Sequence, residues 1–217
     1  MGHFLDIDAW KRRAQFEFFQ TYQRPFFNIC AEVDVTDALN HCRQHDHSFF
    51  LASWFLCTQA ANDVEPFRYR LRGDKVWVHD QISVGTTVLN PDETFSFCYL
   101  PVAMDFASFA RDGLAAVNAT KEGRGLEPLE ARDDLIYGSV LPWLRFTSVS
   151  HAQRDKAGES VPKIVFGRHT KVGDRVMMPV SVEVHHALMD GLHVSRFFGR
   201  FEEYLAQAAE RLGEGKA

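Results

Sequence analysis

The sequence predicts an α+β fold, a two-layer sandwich in which helices cover one face of a large mixed β-sheet. Helix-like segments stand near both ends of the chain and most strand-like segments lie between them, so strand and helix do not alternate regularly. Residues 48–62 are apolar almost all round, which is typical of a helix buried against a sheet. At 217 residues the chain is long enough for one full core, and we expect a single domain over residues 1–217.

The first third of the chain predicts three helices and one strand. Apolar residues at loosely helical spacing predict a helix over 8–20, with Asp8 as its N-cap. The alternation in the second half of 26–35 indicates a strand. Thr36 then looks like the cap of a short helix that ends near Gln44, and the apolar helix 48–62 follows.

The rest of the chain contains most of the predicted strands. The alternation of apolar and polar residues takes a period of two at 67–71 and at 76–80, on either side of a turn at 72–75. This pattern predicts a β-hairpin. We expect an amphipathic helix over 105–118, a polar loop over 121–132 and a final helix over 191–211. Further strands are predicted at 82–89, 94–102, 136–140, 144–148, 163–169 and 175–184.

Charge and hydropathy exclude several classes of function. The formal charge is 24 − 29 = −5, and there is no cluster of five or more Lys and Arg, so we expect no nucleic acid and no anionic membrane as a partner. No window approaches 18 consecutive apolar residues, and charged residues among the first fifteen argue against a signal peptide. A cytoplasmic location is therefore expected.

Cysteine and phenylalanine give two further indications. The four cysteines never form a C-x-x-C pair, so they are expected to be buried thiols rather than zinc ligands or a redox pair. The 19 Phe residues exceed what one core of this size needs, which suggests that some of them line a pocket or a subunit interface.

The densest chemical cluster is the run VHHALMDGLH at 184–193, which follows an apolar strand-like segment. A strand thus delivers two histidines to a turn before a helix. Neutral imidazole is well suited to take a proton near pH 7, so His186 is a candidate general base. Asp190, four residues further on, could orient the imidazole directly or brace the turn through a cation.

Three other interpretations of this run stay open. It could be an ordinary strand end followed by an ordinary turn. It could hold a metal, because three histidines and one aspartate lie within nine residues, although H-E-x-x-H spacing is absent. It could also belong to a Ser-His-Asp hydrolase, but no G-x-S-x-G elbow occurs in the chain.

The run HHALMDGLHVSRF resembles the active-site signature of the chloramphenicol acetyltransferase family. Other segments are similar to further motifs of this family, in family order and with nearly family spacing over residues 5–205. These segments are WKRRAQF at 10–16, DETFS at 92–96, SVLPW at 139–143 with FTS at 146–148, and GDR at 173–175 with Met178 and Pro179.

The resemblance implies a role for each matching catalytic residue. His186 would be the general base that takes a proton from the substrate hydroxyl, which then attacks the thioester of acetyl-coenzyme A. Ser139 would donate a hydrogen bond to the oxyanion of the tetrahedral intermediate. Asp190 matches an aspartate that forms an ion pair with an arginine, here Arg12, rather than touching the base.

The resemblance also implies a homotrimer with active sites at the subunit interfaces. In this family the base of one subunit faces an acceptor pocket formed mostly by its neighbour, and coenzyme A enters from the opposite side. Aromatic residues that match or adjoin positions lining the acceptor pocket are Phe18, Phe19, Phe26, Phe95 and Phe97.

Three departures from the family pattern affect the acceptor site. Val165 stands where the well-known members carry a threonine that helps to bind a water bridging to the intermediate. His151 stands where a pocket leucine is usual and adds a polar group, while Phe19 replaces a pocket tyrosine found in some members.

We therefore expect an acetyl-CoA dependent O-acetyltransferase that acetylates a hydroxyl of chloramphenicol and gives antibiotic resistance. It would work through a ternary complex, with no metal and no covalent enzyme intermediate. One alternative is a family member that acetylates a different hydroxylated small molecule. Others are an acyltransferase core like the E2 component of dehydrogenase complexes, which shares H-x-x-x-D-G, and a non-catalytic small-molecule binding protein.

Overall fold

The computed structural model describes residues 2–123, 132–152 and 158–214 and confirms the predicted α+β class. The helices are α1 (Arg13–Gln20), α2 (Thr36–Gln44), α3 (Phe49–Asp63), α4 (Phe106–Gly123), α5 (Gly191–Ala206) and α6 (Ala208–Leu212), with a 3-10 helix at Glu65–Arg68. Among the described residues, no helix combines the length and the apolar character that a membrane crossing requires.

The strands form one large sheet and one small sheet. They are β1 (Gly2–Phe4), β2 (Phe26–Asp34), β3 (Tyr69–Arg72), β4 (Lys75–His79), β5 (Ser83–Leu89), β6 (Phe95–Tyr99), β7 (Leu135–Leu141), β8 (Lys163–Gly167), β9 (Thr170–Val172) and β10 (Arg175–His185). The large sheet has seven strands in the order β2-β10-β8-β7-β5-β6, with β9 also paired to β10, and the small sheet has the order β1-β4-β3. Pairing is parallel at β5–β7 and β7–β8 and antiparallel elsewhere, so the large sheet is mixed as predicted.

The main core lies between one face of the large sheet and the helices. Val180, Val182 and Val184 of β10 point into this core, because side chains in a strand alternate between its two faces. The alternate residues Ser181 and Glu183 therefore lie on the other face, which we name the open face. The core-facing row and the open-face row of residues both continue along β10 to its end at His185.

Helix α3 is the central buried element that its apolar sequence predicts. Ser48 caps it by accepting a hydrogen bond from the backbone N–H of Leu51. Trp54 is fully buried and packs on Phe166 of β8, with ring centroids 4.3 Å apart. Gly138 of β7 leaves room for this contact, since a Cβ there would lie 2.5 Å from the Trp54 ring.

Several predicted boundaries differ from the structure. The first helix begins at Arg13 rather than at Asp8, because the chain turns before it and the Trp10 N–H bonds to the Ile7 carbonyl. The strand predicted at 144–148 is wrong: Leu144 closes a turn onto Leu141 and its side chain is exposed.

Other differences concern short elements and helix ends. The three-residue strands β1 and β9 are too short for a periodicity to reveal them. Helix α4 runs on to Gly123, so residues 121–123 of the loop predicted at 121–132 are helical, and its part at 124–131 lies outside the described residues. The final helix is interrupted at Gln207.

Arg70 ties the start of β7 to the small sheet. Its side chain is fully buried and donates to four backbone carbonyls: those of Asp133 and Leu135 at 2.5 and 2.6 Å, and those of Phe67 and Tyr69 at 2.8 and 2.6 Å. Burial lowers the pKa of this guanidinium to about 10, which still leaves it charged at neutral pH. The arginine therefore supplies hydrogen bonds to carbonyls that have lost contact with water.

We expect Arg70→Met to lower the free energy of unfolding by about 3 to 5 kcal/mol, since buried carbonyls would lose their donors. Urea unfolding followed by circular dichroism measures this change. Arg175→Met is the matched control because Arg175 is largely exposed and forms only a surface ion pair with Asp34 at 3.5 Å. Equal stability of the two variants would contradict the role given to Arg70.

Candidate active site

His186 lies in the turn between β10 and α5, and backbone hydrogen bonds fix this turn on both sides. The N–H groups of Leu188 and Met189 both donate to the His185 carbonyl, at 3.0 and 3.2 Å. The N–H of His186 itself donates to the carbonyl of Pro25, just before β2, at 2.6 Å. The imidazole is therefore presented from a rigid position at the end of the sheet.

The surroundings of the His186 ring define its tautomer. Its Nδ1 lies 3.2 Å from the Met189 carbonyl, and because a carbonyl can only accept, Nδ1 must carry the hydrogen. Nε2 is then the nitrogen that can take a proton. Phe19 stacks on the ring at 3.8 Å and 9°, and Phe27 contacts it at 4.5 Å. This is the arrangement that a general base requires.

Arg12 and Asp190 hold the turn without touching the imidazole. The Nε of Arg12 lies 3.2 Å from the Asp190 carboxylate, and its two Nη atoms donate to the carbonyls of Ala187 and His186, at 3.1 and 3.3 Å. Asp190 also caps α5 by accepting from the Leu192 N–H. The ion pair thus joins the segment before α1 to the backbone that carries His186.

The charge state of Asp190 is consistent with its ion pair to Arg12. Burial acts to raise the pKa of its carboxyl, but His193 and Arg12 outweigh that effect and hold the pKa below the ordinary value. The Nδ1 of His193 accepts a hydrogen bond from the backbone N–H of Asp190, at 3.2 Å, which completes a capping box. Asp190 is therefore an anion at the N-terminus of α5 at neutral pH.

His185, the other histidine of the pair, points to the open face and is only 5% exposed. Its Nδ1 accepts from the Ala187 N–H at 3.2 Å, and Phe26 packs against its ring. Burial, followed by the charge of the neighbouring His186, lowers the pKa of His185 to about 4. His185 is therefore a neutral, structural side chain of the turn.

This buried histidine predicts acid sensitivity of the fold. The unfolded chain takes up a proton at this residue below about pH 6.5, whereas the folded chain resists it down to about pH 4, so acid favours unfolding. We expect the free energy of unfolding to fall by about 3 kcal/mol between pH 7 and pH 4 from this group.

Urea titrations at several pH values test this expectation. His151, His169 and His193 also have lowered pKa values, mainly because of burial, and act in the same direction. The variant His185→Asn keeps an acceptor for the Ala187 N–H and does not titrate, so its dependence on pH should be flatter. Equal slopes for the wild type and this variant would contradict the prediction.

Ser139 lies on the open face of the sheet, away from His186. It stands opposite Val165 of β8, which in turn stands opposite Ser181 of β10. His186 lies five residues beyond Ser181 and two strands from Ser139, which separates the two residues by about 19 Å at standard strand spacings. One chain therefore does not bring His186 and Ser139 together.

The remaining predicted site residues are described by their position relative to His186 and to Ser139. Near His186, Phe19 stacks on the imidazole and the exposed Phe18 contacts Phe19 at 5.1 Å. Near Ser139, whose Oγ lies 3.5 Å from Thr87 Oγ1, the structure places Val165, and Phe97 stands opposite Thr87. Phe95 and Phe97 are partly exposed on the edge strand β6. His151 is half-buried; burial lowers the pKa of its imidazole, and the charges of Glu183 and Lys163 act on it in opposite directions.

Phe26 and Phe27 show what the sequence reasoning missed. Phe26 packs against His185 and lies 4.8 Å from the ammonium of Lys163, whereas Phe27 contacts His186. Neighbouring residues in a strand face opposite sides, so only one of two adjacent phenylalanines can contact His186. The doublet in β2 was a usable signal, but the face of each residue could not be assigned without the register.

Metal binding was one of the open interpretations of the histidine run. Within the described part of the chain, no group of three or more His, Cys, Asp or Glu side chains is arranged to hold an ion. The nitrogens in question are also engaged otherwise, since Nδ1 of His185 and Nδ1 of His193 accept from backbone N–H groups. A metal-free reaction stays a prediction.

Comparison with known proteins agrees with the geometry. The sequence model described as "Chloramphenicol acetyltransferase" matches residues 3–202. Chloramphenicol acetyltransferase 3 of Escherichia coli is 29% identical over 92% of this chain and 94% of its own length. A chloramphenicol acetyltransferase of Streptomyces acrimycini is 32% identical over 94% of both chains.

Solved structures show the same relation. A chloramphenicol acetyltransferase structure superposes with a TM-score of 0.88 at 29% identity, covering 94% of this chain and all of the other. The dihydrolipoamide acetyltransferase of Azotobacter vinelandii shares the fold, with a TM-score of 0.68 at 14% identity over 91% of this chain and 88% of the other. The resemblance inferred from the motifs is confirmed: the chain belongs to the chloramphenicol acetyltransferase family.

Proposed function

We propose that this protein transfers the acetyl group of acetyl-CoA to a hydroxyl group of chloramphenicol and so gives resistance to it. The observation that carries the proposal is the state of His186, whose Nδ1–H is committed to the Met189 carbonyl while Nε2 is left to accept a proton. Family membership supplies the reaction type and the two substrates.

The reaction needs one proton transfer and one acyl transfer. Nε2 of His186 takes the proton of the acceptor hydroxyl as its oxygen attacks the carbonyl carbon of the thioester. Ser139 donates a hydrogen bond to the oxyanion that develops on the thioester oxygen. The tetrahedral intermediate then expels the thiolate of coenzyme A, which takes the proton back from His186. No covalent bond to the enzyme forms in this sequence.

Arg12 and Asp190 act as positioning residues in this mechanism. Their ion pair fixes the carbonyls of His186 and Ala187, and with them the direction of the imidazole. The stacked Phe19 and the adjoining Phe27 limit access of water to the base. Both effects help to keep Nε2 of His186 directed at the acceptor.

We infer that the working enzyme is a homotrimer with its active sites between subunits. The separation of His186 from Ser139 in one chain supports this, because the two groups can act together only if they come from different copies. The open face also leaves Phe95, Phe97 and Tyr137 partly exposed, which suits an interface between subunits. We take residues 1–217 as one acetyltransferase domain, while a cytoplasmic location stays a prediction from the sequence.

The first experiment is thiol release from acetyl-CoA, followed with a thiol reagent, with and without chloramphenicol. We expect release that requires chloramphenicol, and mass spectrometry should find a product heavier by one acetyl group. Release without an acceptor would indicate simple thioester hydrolysis. If chloramphenicol gives no release and other hydroxylated compounds do, the proposed acceptor is wrong while the proposed chemistry stands.

A further inference from the structure

A cavity of about 240 Å³ lies on the helical side of the large sheet, opposite the open face. Its walls are the second half of α3, the loop at 101–104, the residues just before β5, and parts of α4, α5 and α6. None of the residues that the proposed reaction uses lines this cavity. It is therefore separate from the site described above.

Hydrogen bonds fix the wall between α3 and β5. The side-chain NH₂ of Asn62 donates to the carbonyls of Thr58 and Ile82, at 2.8 and 2.9 Å. Its amide oxygen accepts from the Ile82 N–H, at 2.9 Å. The helix and the chain entering β5 are thus held together on this side, so the cavity is preformed, as small-molecule sites usually are.

Much of the lining is apolar. Phe55 and Phe109 are buried and contact each other, with ring centroids 5.3 Å apart. Val102 and Met104 lie in the loop before α4 and are 51% and 88% exposed, so they form an outer rim. A methionine adapts to irregular shapes and makes favourable contacts with aromatic rings. The cavity therefore suits a compact aromatic body.

Arg211 of α6 brings a positive charge to this cavity. Its Nε and Nη1 donate to the side-chain oxygens of Gln207 and Gln59, both at 3.2 Å, and the guanidinium lies over the Tyr204 ring, 3.2 Å from its centroid. Its Nη2 has no acceptor among the described residues, and no carboxylate among them forms an ion pair with it. A guanidinium with an unused edge is suited to bind a carboxylate.

The acidic residues at this end of α5 have other partners. The Tyr204 hydroxyl donates to the Asp63 carboxylate, and Nε of Arg200 lies 3.8 Å from the same oxygen. Burial and the hydrogen bond with Asp63 raise the pKa of Tyr204, so its hydroxyl remains a donor at neutral pH. Glu203 pairs with Arg200 at 2.7 Å. Arg211 is thus left as the cation that faces the cavity.

We propose that this cavity is a second small-molecule site, which binds a compact aromatic carboxylate. The aromatic ring occupies the apolar space between Phe55, Phe109 and Met104, and the carboxylate accepts hydrogen bonds from Arg211. The volume of about 240 Å³ corresponds to about eight water molecules at roughly 30 Å³ each, which is enough for one substituted benzene ring. Binding here involves neither chloramphenicol nor acetyl-CoA, so this inference does not depend on the proposed function.

The test is a titration with 3-phenylpropionate, followed by NMR of protein labelled with ¹³C in its methionine methyl groups. Met104 at the rim provides the signal, and the variant Met104→Leu identifies it. We expect a saturable shift of this signal. The uncharged 3-phenylpropionamide should bind at least 10-fold more weakly, because it lacks the charged partner of Arg211, and the cationic 3-phenylpropylamine should bind more weakly still. No saturable shift, or equal binding of the acid and the amide, would overturn the proposal.

The variant Arg211→Gln tests the cation directly. It should weaken binding of the acid about 10-fold and leave binding of the amide unchanged. Arg196→Gln is the matched control, because Arg196 is exposed on α5 and does not line the cavity. Circular dichroism verifies that both variants are folded. Equal weakening of the acid and the amide by Arg211→Gln would contradict the role given to this arginine, and if the variant does not fold, the comparison of the three compounds on the wild type decides.

Two further measurements locate the bound ring. Ala103→Leu narrows the cavity, so it should weaken the acid and the amide by a similar factor, and unchanged binding of both would contradict burial of the ring. Saturating chloramphenicol should leave the dissociation constant of 3-phenylpropionate unchanged. Competition between the two would place the probe in the acceptor site and overturn the proposal.

Discussion

Replacing His186 with alanine is expected to lower kcat by up to about 10⁴-fold while the protein stays folded. Among the residues that the structure brings to this turn, the His186 imidazole is the only group placed to take the hydroxyl proton. It would do so through Nε2. Its side chain is half-buried between Phe19 and Phe27, so its loss leaves a small gap but no unpaired charge. Thiol release at saturating acetyl-CoA and chloramphenicol measures the effect.

His3→Ala is the matched control, since this histidine is exposed on β1, and it should retain wild-type kcat. Binding of chloramphenicol to His186→Ala, measured by calorimetry, should persist because the aromatic contacts remain. A variant that keeps a tenth or more of the wild-type rate would show that another group removes the proton.

Ser139→Ala is expected to lower kcat by about 10²- to 10³-fold, which is the cost of removing one oxyanion donor in other enzymes. The hydroxyl contacts Thr87 only weakly, at 3.5 Å, so its removal should not disturb β7. Stability in urea should therefore match the wild type, which separates a catalytic loss from a structural one. A loss of less than threefold would exclude Ser139 as the donor.

The two variants together test where the active site is assembled. When His186→Ala and Ser139→Ala chains are unfolded, mixed in equal amounts and refolded, random trimers should recover about a quarter of wild-type activity, since a quarter of the sites receive both intact residues. Each variant refolded alone is the control. If both residues acted within one chain, the mixture would stay as inactive as its components. Independently, light scattering should show a mass of three 24.8 kDa chains.

The sequence predicted those elements whose periodicity is long. Helix α2 ends at Gln44 as predicted, although Thr36 is its first residue and not its cap, and the apolar helix α3 is buried as expected. The error at 144–148 arose because an apolar and aromatic composition resembles a strand, although no neighbouring strand pairs with it. β-propensity is a property of a single segment, whereas a strand also needs a neighbouring strand to pair with.

The candidate site was predictable as a set of residues but not as an arrangement. The motifs pointed to His186, Ser139, Asp190 and Arg12, and in the structure Arg12 and Asp190 form an ion pair. No pattern in the sequence reveals that Nδ1 of His186 binds a carbonyl, or that Lys163 lies opposite Glu183, because both depend on strand register.

The distance between Ser139 and His186 along the sheet has a consequence for how activity depends on the amount of protein. In the proposed trimer, a chain on its own would carry two half-sites, so its specific activity would be zero until it associates. Diluting the enzyme below the dissociation constant of the assembly should remove activity without unfolding a single chain. In a cell that makes little of the protein, drug tolerance would rise more steeply than in proportion to expression. A chain with one damaged half-site would also inactivate the site that this half forms with an intact neighbour.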